Sequence, residues 1–371
     1  MTFLSSPDSF LPDGATGLIR EHAAAAEQGR DLHPAVLELI YREGWFRLLV
    51  PQRWGGRALP LPQLVRLEEG LAFADGAVGW TVTLCSGAGW FAGFFPGGGP
   101  SDEDGFDQLF ADERLCIAGS GSPSGEARVV EGGYHVSGRW SYASGVGHAT
   151  AYTANCVVWK DGAPLPGPDG QPVVRPFLFL PGEVRVHDDW KAMGLVATGS
   201  HGFSVEGLVV PAERMFVIEA AAATDANVLY RYPFLTLAEV TLAANLSGMG
   251  LHFLDCCAEI FALRAKSGRV SPGAAAEMER LLAAARSDMG AMRGEFYRAL
   301  DRSWAALEKG TDAPGLYGIA GSISHELVAK VREWVGRLYP YAGLGAARVD
   351  TAINRVWRDL NTAGQHPLLV F

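Results

Sequence analysis

Gly202–Val210 reads GFSVEGLVV, whereas from Ala220 onward the pattern is helical, and the change of texture between them decides the fold. The run is short and rich in aromatic and β-branched residues, the composition of a strand. It is the last of five such runs, after Arg128–Val130, Tyr134–Ser137, Ala151–Val158 and Val174–Leu180. Gly-Gly, Pro-Gly and Asp-Gly steps separate them, as turns would in an antiparallel sheet or small barrel. Beyond Ala220 come the long Ala-rich stretches Glu239–Lys266 and Ala274–Leu307. Before the sheet, Ile19, His22, Ala23 and Ala26 recur at helical spacing, as do Val36, Leu37, Ile40 and Tyr41. The second set follows Asp31-Leu32-His33-Pro34, a cap with Pro just inside the helix start. After the loop Val50–Gly56, two more helices are predicted, Pro62–Ala74 and Ala77–Phe94, stopped by Pro96-Gly97-Gly98-Gly99-Pro100. Helix, then sheet, then long helices is an α+β arrangement, divided here at residues 1–115, 116–219 and 220–371.

The chain has 371 residues, too many for one small core, which implies two or three packed units. With 48% hydrophobic and 19% charged residues it is a well-buried globular protein, not a disordered or fibrous one. Lys and Arg number 31 against 41 Asp and Glu, and a net charge of −10 argues against a nucleic-acid partner. The five Cys, at 85, 116, 156, 256 and 257, form no C-x-x-C spacing and read as reduced thiols. MTFLSSPDSFLPDG lacks the basic and apolar regions of an export signal. The most apolar stretch, Phe234 to Leu254, carries Glu239, Asn245 and His252 and reads as a buried helix rather than a membrane span. A soluble, cytoplasmic protein with no membrane partner is expected.

Several chemistries are missing. Gly119-Ser120-Gly121-Ser122-Pro123-Ser124-Gly125 misses the G-x-G-x-x-G spacing, and no alternating βαβ pattern surrounds it. There is no phosphate-binding lysine loop and no G-x-S-x-G elbow. His325-Glu326 opens like a zinc-protease motif, but Ala329 stands where the second histidine must be. The nine His are scattered without ligand spacing, so no metal is expected.

Six motifs in order point elsewhere. They are GWFRLLVPQRWGG (Gly44–Gly56), SGRWSYASG (Ser137–Gly145), MGLVATGSHGFSVEGLVVP (Met193–Pro211), Arg264-Ala265-Lys266-Ser267-Gly268, Ala342-Gly343-Leu344-Gly345-Ala346 and Ile353-Asn354-Arg355-Val356-Trp357-Arg358-Asp359. At these intervals they resemble the acyl-CoA dehydrogenase superfamily over nearly the whole chain. The resemblance implies an N-terminal helical domain, a middle antiparallel β-barrel domain and a C-terminal four-helix bundle clamping a flavin. Dehydrogenases of that family carry a Glu base eight residues after the R-D aspartate, where a carboxylate must take the substrate's α-proton. Here Pro367 occupies that point, with His366 beside it. A base relocated to the first long C-terminal helix leaves Glu239 open, and Glu259 as a weaker choice.

The ending Trp357-Arg358-Asp359-Leu360-Asn361-Thr362-Ala363-Gly364-Gln365-His366-Pro367, with SGRWSYASG and ATGSHGF, is more similar to a sister branch. Its members are the oxygenase components of two-component flavin-dependent monooxygenases, which receive reduced FAD or FMN from a separate reductase. They oxygenate small organic molecules through a C4a-hydroperoxyflavin, which needs a dry pocket and a directed hydrogen bond. The resemblance assigns catalytic roles to His366 and Ser144. It assigns flavin contacts to Trp80, Gly119, Ser120, Trp140, Tyr142, Ala143, Ser144, Arg264, Ala342, Gly343, Gln365 and His366. Trp140 and Tyr142, two apart on a strand, are predicted to share one face. His148 and His201 read as loop residues. A homo-oligomer, dimer or tetramer, completes the expectation. Three functions stay open: a monooxygenase component, an acyl-CoA or acyl-carrier-protein dehydrogenase with a relocated Glu, and a catalytically silent flavin-binding protein.

Overall fold

The computed structural model describes residues 6–96, 106–311 and 313–370. The first helices are α1 (Ala15–Gly29) and α2 (Pro34–Arg42), which turn Ile19, Val36 and Ile40 inward. His33 caps α2, its Nδ1 accepting from the Ala35 N–H, with Pro34 at the first helical position. Two nearly wholly buried helices follow, α3 (Leu61–Ala74) and α4 (Gly76–Trp90). Asp75 ends the first and caps the second, accepting from the N–H groups of Ala77 (3.0 Å) and Val78 (3.2 Å). A short helix, α5 (Phe106–Ala111), precedes the sheet; the glycine-rich stop at 97–100 lies outside the described residues.

The strands are β1 (Ile117–Val130), β2 (Gly133–Trp140), β3 (Ala151–Lys160), β4 (Ala163–Pro164), β5 (Val174–Phe179), β6 (Arg185–His187) and β7 (Gly202–Pro211). Their order is the open path β4-β3-β1-β2-β7-β6, with β5 also on β3. The sheet is mixed rather than antiparallel throughout, because β1 pairs β3 in parallel. A parallel pair needs a crossover connection, and the whole of β2 supplies it.

β1 also corrects the strand reading. It begins eleven residues before Arg128, through a Gly- and Ser-rich run in which the sequence predicts no strand. Those glycines are needed for close approach. A Cβ on Gly119 would lie 2.3 Å from Thr153 Oγ1, and one on Gly125 would lie 2.3 Å from the Trp140 ring. The register against β3 slips between Ser120 and Gly125.

Four helices close the chain: α6 (Phe234–Lys266), α7 (Pro272–Glu308), α8 (Pro314–Ala342) and α9 (Ala352–Ala363). Among the described helices α6 alone is long and apolar enough to cross a membrane. It is instead the central element, packed on α3, α4, α7, α8 and α9. Gly248 lets it meet α3 backbone to backbone, since a Cβ there would sit 2.2 Å from the Glu69 carbonyl. One apolar core therefore runs through both helical regions, with a second inside the sheet.

Candidate functional site

A cavity of about 220 Å³ opens where α4, β1, β3, α6 and the chain end converge. Its helical wall carries Thr83, Gly87, Phe91, Leu237 and Thr241, and its sheet wall carries Gly119–Gly121 and Thr153–Asn155. His366 and Leu368 enter from the C-terminal turn. Ser120 Oγ donates to the Ser141 carbonyl at 2.9 Å, and Asn155 Nδ2 to the Gly121 carbonyl at 2.8 Å. Both bonds hold the shifted part of β1 in place.

His366 is both a cap and a wall residue. Its Nδ1 accepts from the Leu368 N–H at 3.3 Å at the start of the turn Pro367–Leu369. That bond requires a neutral ring with the proton on Nε2. Burial holds its pKa below the usual histidine value, in the same direction. Trp80, on α4, meets the ring edge to face with centroids 5.9 Å apart. Trp80 therefore packs on His366 and is not among the residues that line the cavity.

The other predicted residues divide. Gly119, Ser120 and His366 come together in the cavity. Trp140 does not: it has no exposed surface and packs between Phe179 and Phe203 in the sheet core. Tyr142 is 73% exposed, with φ +66°, so the shared face is a misreading. The strand ends at Trp140, and alternation ends with it. Ala143 has no exposed surface either, and neither Trp140 nor Ala143 is among the residues that line the cavity. Ser144 is buried away from the cavity; its Oγ lies 2.8 Å from Ser200 Oγ, which lies 2.6 Å from Thr198 Oγ1. Arg264, Ala342 and Gly343 form a separate cluster at the ends of α6 and α8. Arg264 Nη1 donates to the Ala342 carbonyl at 3.2 Å, filling the space a Cβ on Gly343 would need. Gln365 is exposed. His148 faces Asp31 at 2.8 Å and His201 Nδ1 accepts from two loop N–H groups, Asp189 and Trp190.

No carboxylate lines the cavity among the described residues, and His366 is its one titratable side chain. Glu239 lies on α6 but turns to α8, 3.5 Å from His325 Nε2 and against Gly321. Glu259 is exposed, farther along α6. Sequence reasoning missed Thr83, Thr153, Asn155 and Thr241, ordinary polar residues without a motif. The acids Glu68 and Glu69 did leave a signal, two carboxyls inside the otherwise apolar Leu67–Ala74.

Residues 240–371 match the family model described as acyl-CoA dehydrogenase, C-terminal domain. That match lies in the C-terminal helices, and the helix–sheet–helix order agrees with an acyl-CoA dehydrogenase-like fold. Over nearly the whole chain the similarity is to flavin-dependent monooxygenases. The oxygenase subunit HsaA of a flavin-dependent monooxygenase from Rhodococcus jostii is 27% identical, over 97% of this chain and 92% of that one. Indole-3-acetate monooxygenase from Pseudomonas putida is 28% identical, over 95% and 88%. Among solved structures, 3-HSA hydroxylase from Rhodococcus sp. RHA1 superposes with a TM-score of 0.85 at 25% identity, over 96% and 92%.

Proposed function

We propose that this chain is the oxygenase component of a two-component flavin-dependent monooxygenase, taking reduced FAD or FMN from a separate reductase and oxygenating a small organic substrate. The observation that carries this reading is the cavity wall, which offers an uncharged histidine and no carboxylate. Dehydrogenation of an acyl chain needs a carboxylate base at the reacting carbon. Oxygenation needs instead a dry, apolar enclosure with few directed hydrogen bonds.

The residues fit a flavin ring. A Cβ on Gly87 or Gly121 would meet nothing within 4 Å, so the two glycines leave open space on opposite walls for a flat group. The shifted strand at Ser120–Gly125 and the hydroxyls of Thr83 and Thr153 provide polar atoms without charge. When bound, reduced flavin supplies the electrons that activate O2. His366 Nε2–H would donate a hydrogen bond into the cavity, and Phe91, Phe234 and Leu237 would exclude water. The lining has no charged side chain, which favours an uncharged, largely apolar substrate.

Ser144 and the Arg264–Gly343 cluster belong to the proposal in changed roles, Ser144 as support for the Thr198–Ser200 loop and Arg264 as a contact between subunits. Exposed Leu263 and Leu344 beside that cluster support a dimer or tetramer. The five unpaired cysteines support a reducing, cytoplasmic setting. The division into segments 1–115, 116–219 and 220–371 is part of the same reading.

The test is rapid mixing of the protein and reduced flavin with O2. A transient absorbance distinct from reduced and oxidised flavin is expected, and direct formation of oxidised flavin overturns the reading. His366→Asn should shorten that transient or slow product formation by about 100-fold, the scale of a lost proton-transfer partner.

A further inference from the structure

Behind the cavity wall lies a carboxyl group that the reading above does not use. Glu68 of α3 is fully buried, and no charged group is close enough to act on it. Ser86 Oγ of α4 hydrogen-bonds it, 3.2 Å from Oε1, and the Thr83 hydroxyl on the same helix is near enough to act on it. Its Oε2 has no partner. Leaving a carboxylate oxygen bare in an apolar interior is costly, whereas a neutral carboxylic acid is tolerated there. Burial accordingly pushes the group up to about 8, opposed by the two hydroxyls.

Thr83 links this acid to the cavity, because it is also a wall residue. Asn245 of α6 fixes the role of its hydroxyl. Asn245 Nδ2 donates to Thr83 Oγ1 at 2.7 Å and to the Thr241 carbonyl at 3.0 Å. A carbonyl only accepts, so the amide orientation is determined and both of its hydrogens are used. Thr83 Oγ1 is therefore an acceptor, and its single hydrogen has two destinations, Glu68 or a group in the cavity. If Glu68 is a carboxylate, it takes that hydrogen. If Glu68 is an acid, it donates to Thr83, and the Thr83 hydrogen turns to the cavity.

We propose that Glu68 is a positioning residue that supplies a proton to the cavity through the hydroxyl of Thr83, with Asn245 holding the relay in direction. In the step, the Glu68 O–H bond breaks as a new O–H bond forms on Thr83. The original Thr83 hydrogen passes to an anionic oxygen of the bound ligand. Glu68 is left as a carboxylate and recovers a proton from water after product leaves. Among the described residues no charged group acts on Glu68: Ser86 and Thr83 of α4 act on it, and the Ser247 hydroxyl of α6 is spent on Glu69. On α3 itself, Glu69 turns away to Arg293 and Tyr297 of α7. The proposal rests on the oxygenase reading for the identity of the ligand, but not for the state of Glu68.

Infrared difference spectroscopy of the flavin-free protein tests that state. A protonated-carboxyl band is expected at pH 7 that Glu68→Gln removes, that titrates near pH 8, and that Thr83→Val shifts in frequency. No band lost in Glu68→Gln overturns the proposal. Rapid mixing with reduced flavin and O2 tests the relay. Glu68→Gln and Thr83→Val should each slow the proton-dependent phase about 10-fold or more and remove its decline above pH 8, the scale of general-acid loss. Thr83→Ser and Glu68→Asp should restore part of it, which a merely structural role does not predict. Wild-type rates and pH profile in both variants overturn the relay. If no transient forms even in the wild-type protein, the oxygenase reading fails by itself, and the infrared response to Thr83→Val still decides whether Glu68 addresses Thr83.

Discussion

Glu68 and Glu69 are neighbours on α3, both without exposed surface, and the fold treats them in opposite ways. One step along a helix turns a side chain by about 100°. Glu68 thereby faces α4 and two hydroxyls, while Glu69 faces α6 and α7. Glu69 receives Arg293 Nε and Nη2, each at 2.6 Å, the Tyr297 hydroxyl at 2.5 Å and the Ser247 hydroxyl at 2.6 Å. Its charge is matched and its oxygens are satisfied. Burial, and then the negative charge of Glu69, pushes the Tyr297 phenol well above its ordinary value. Burial alone therefore does not say whether an acid is charged. Partner geometry does: Glu69 ties three helices together, whereas Glu68 holds a proton one residue from the cavity wall.

Breaking the charged half of this pair should have the largest effect. Arg293→Met leaves Glu69 ionised without its partner in the interior, and about 3–5 kcal/mol of stability should be lost in urea unfolding, the usual cost of one partner removed from a buried pair. Breaking the neutral half should do the reverse, and only at high pH. The Glu68 pKa is about 8 in the fold against an ordinary value of 4.5. Between those values the unfolded chain releases the proton and the folded one keeps it, so Glu68 makes stability fall as pH rises. Below pH 4.5 that loss is absent, and above about 8 it is complete. Glu68→Gln carries no such proton. It should match wild type near pH 4.5 and exceed it at pH 9 by on the order of a few kcal/mol, read as a widening Tm gap.

The same contrast shows what could be read from the residues. The break between the predicted helices Pro62–Ala74 and Ala77–Phe94 was legible, and Asp75 is the residue that makes it in the fold. The first half of β1 was not, because Gly119 and Gly125 are there to let Thr153 and Trp140 approach, and glycine without its neighbours reads as loop. Tyr142 broke the alternation rule because its backbone leaves the strand for the left-handed region. In the site, His366 was legible only through the order of family motifs around it. Thr83, Asn155 and Thr241 were not, since residues so far apart meet only after α4, β3 and α6 have packed. The pair Glu68-Glu69 stands out among the apolar residues that follow it, but how differently the two are partnered depends on groups such as Arg293, more than two hundred residues away.

The smallest effect should come from trimming Glu68's own surroundings. Ser86 Oγ has one hydrogen and two acceptors in reach, Glu68 Oε1 at 3.2 Å and the Thr83 carbonyl at 3.3 Å. Its support of the Glu68 carboxylate is therefore shared and weak, though it acts to lower the pKa. Ser86→Ala should raise the Glu68 titration midpoint by roughly half a unit, which is about 0.7 kcal/mol, and leave stability at pH 5 within about 1 kcal/mol of wild type. The infrared midpoint is the measurement. An unchanged midpoint would mean that the Ser86 hydrogen belongs to the Thr83 carbonyl. Thr83 would then be the one group holding Glu68 back from a still higher value, and the contrast with the fourfold-partnered Glu69 would be sharper.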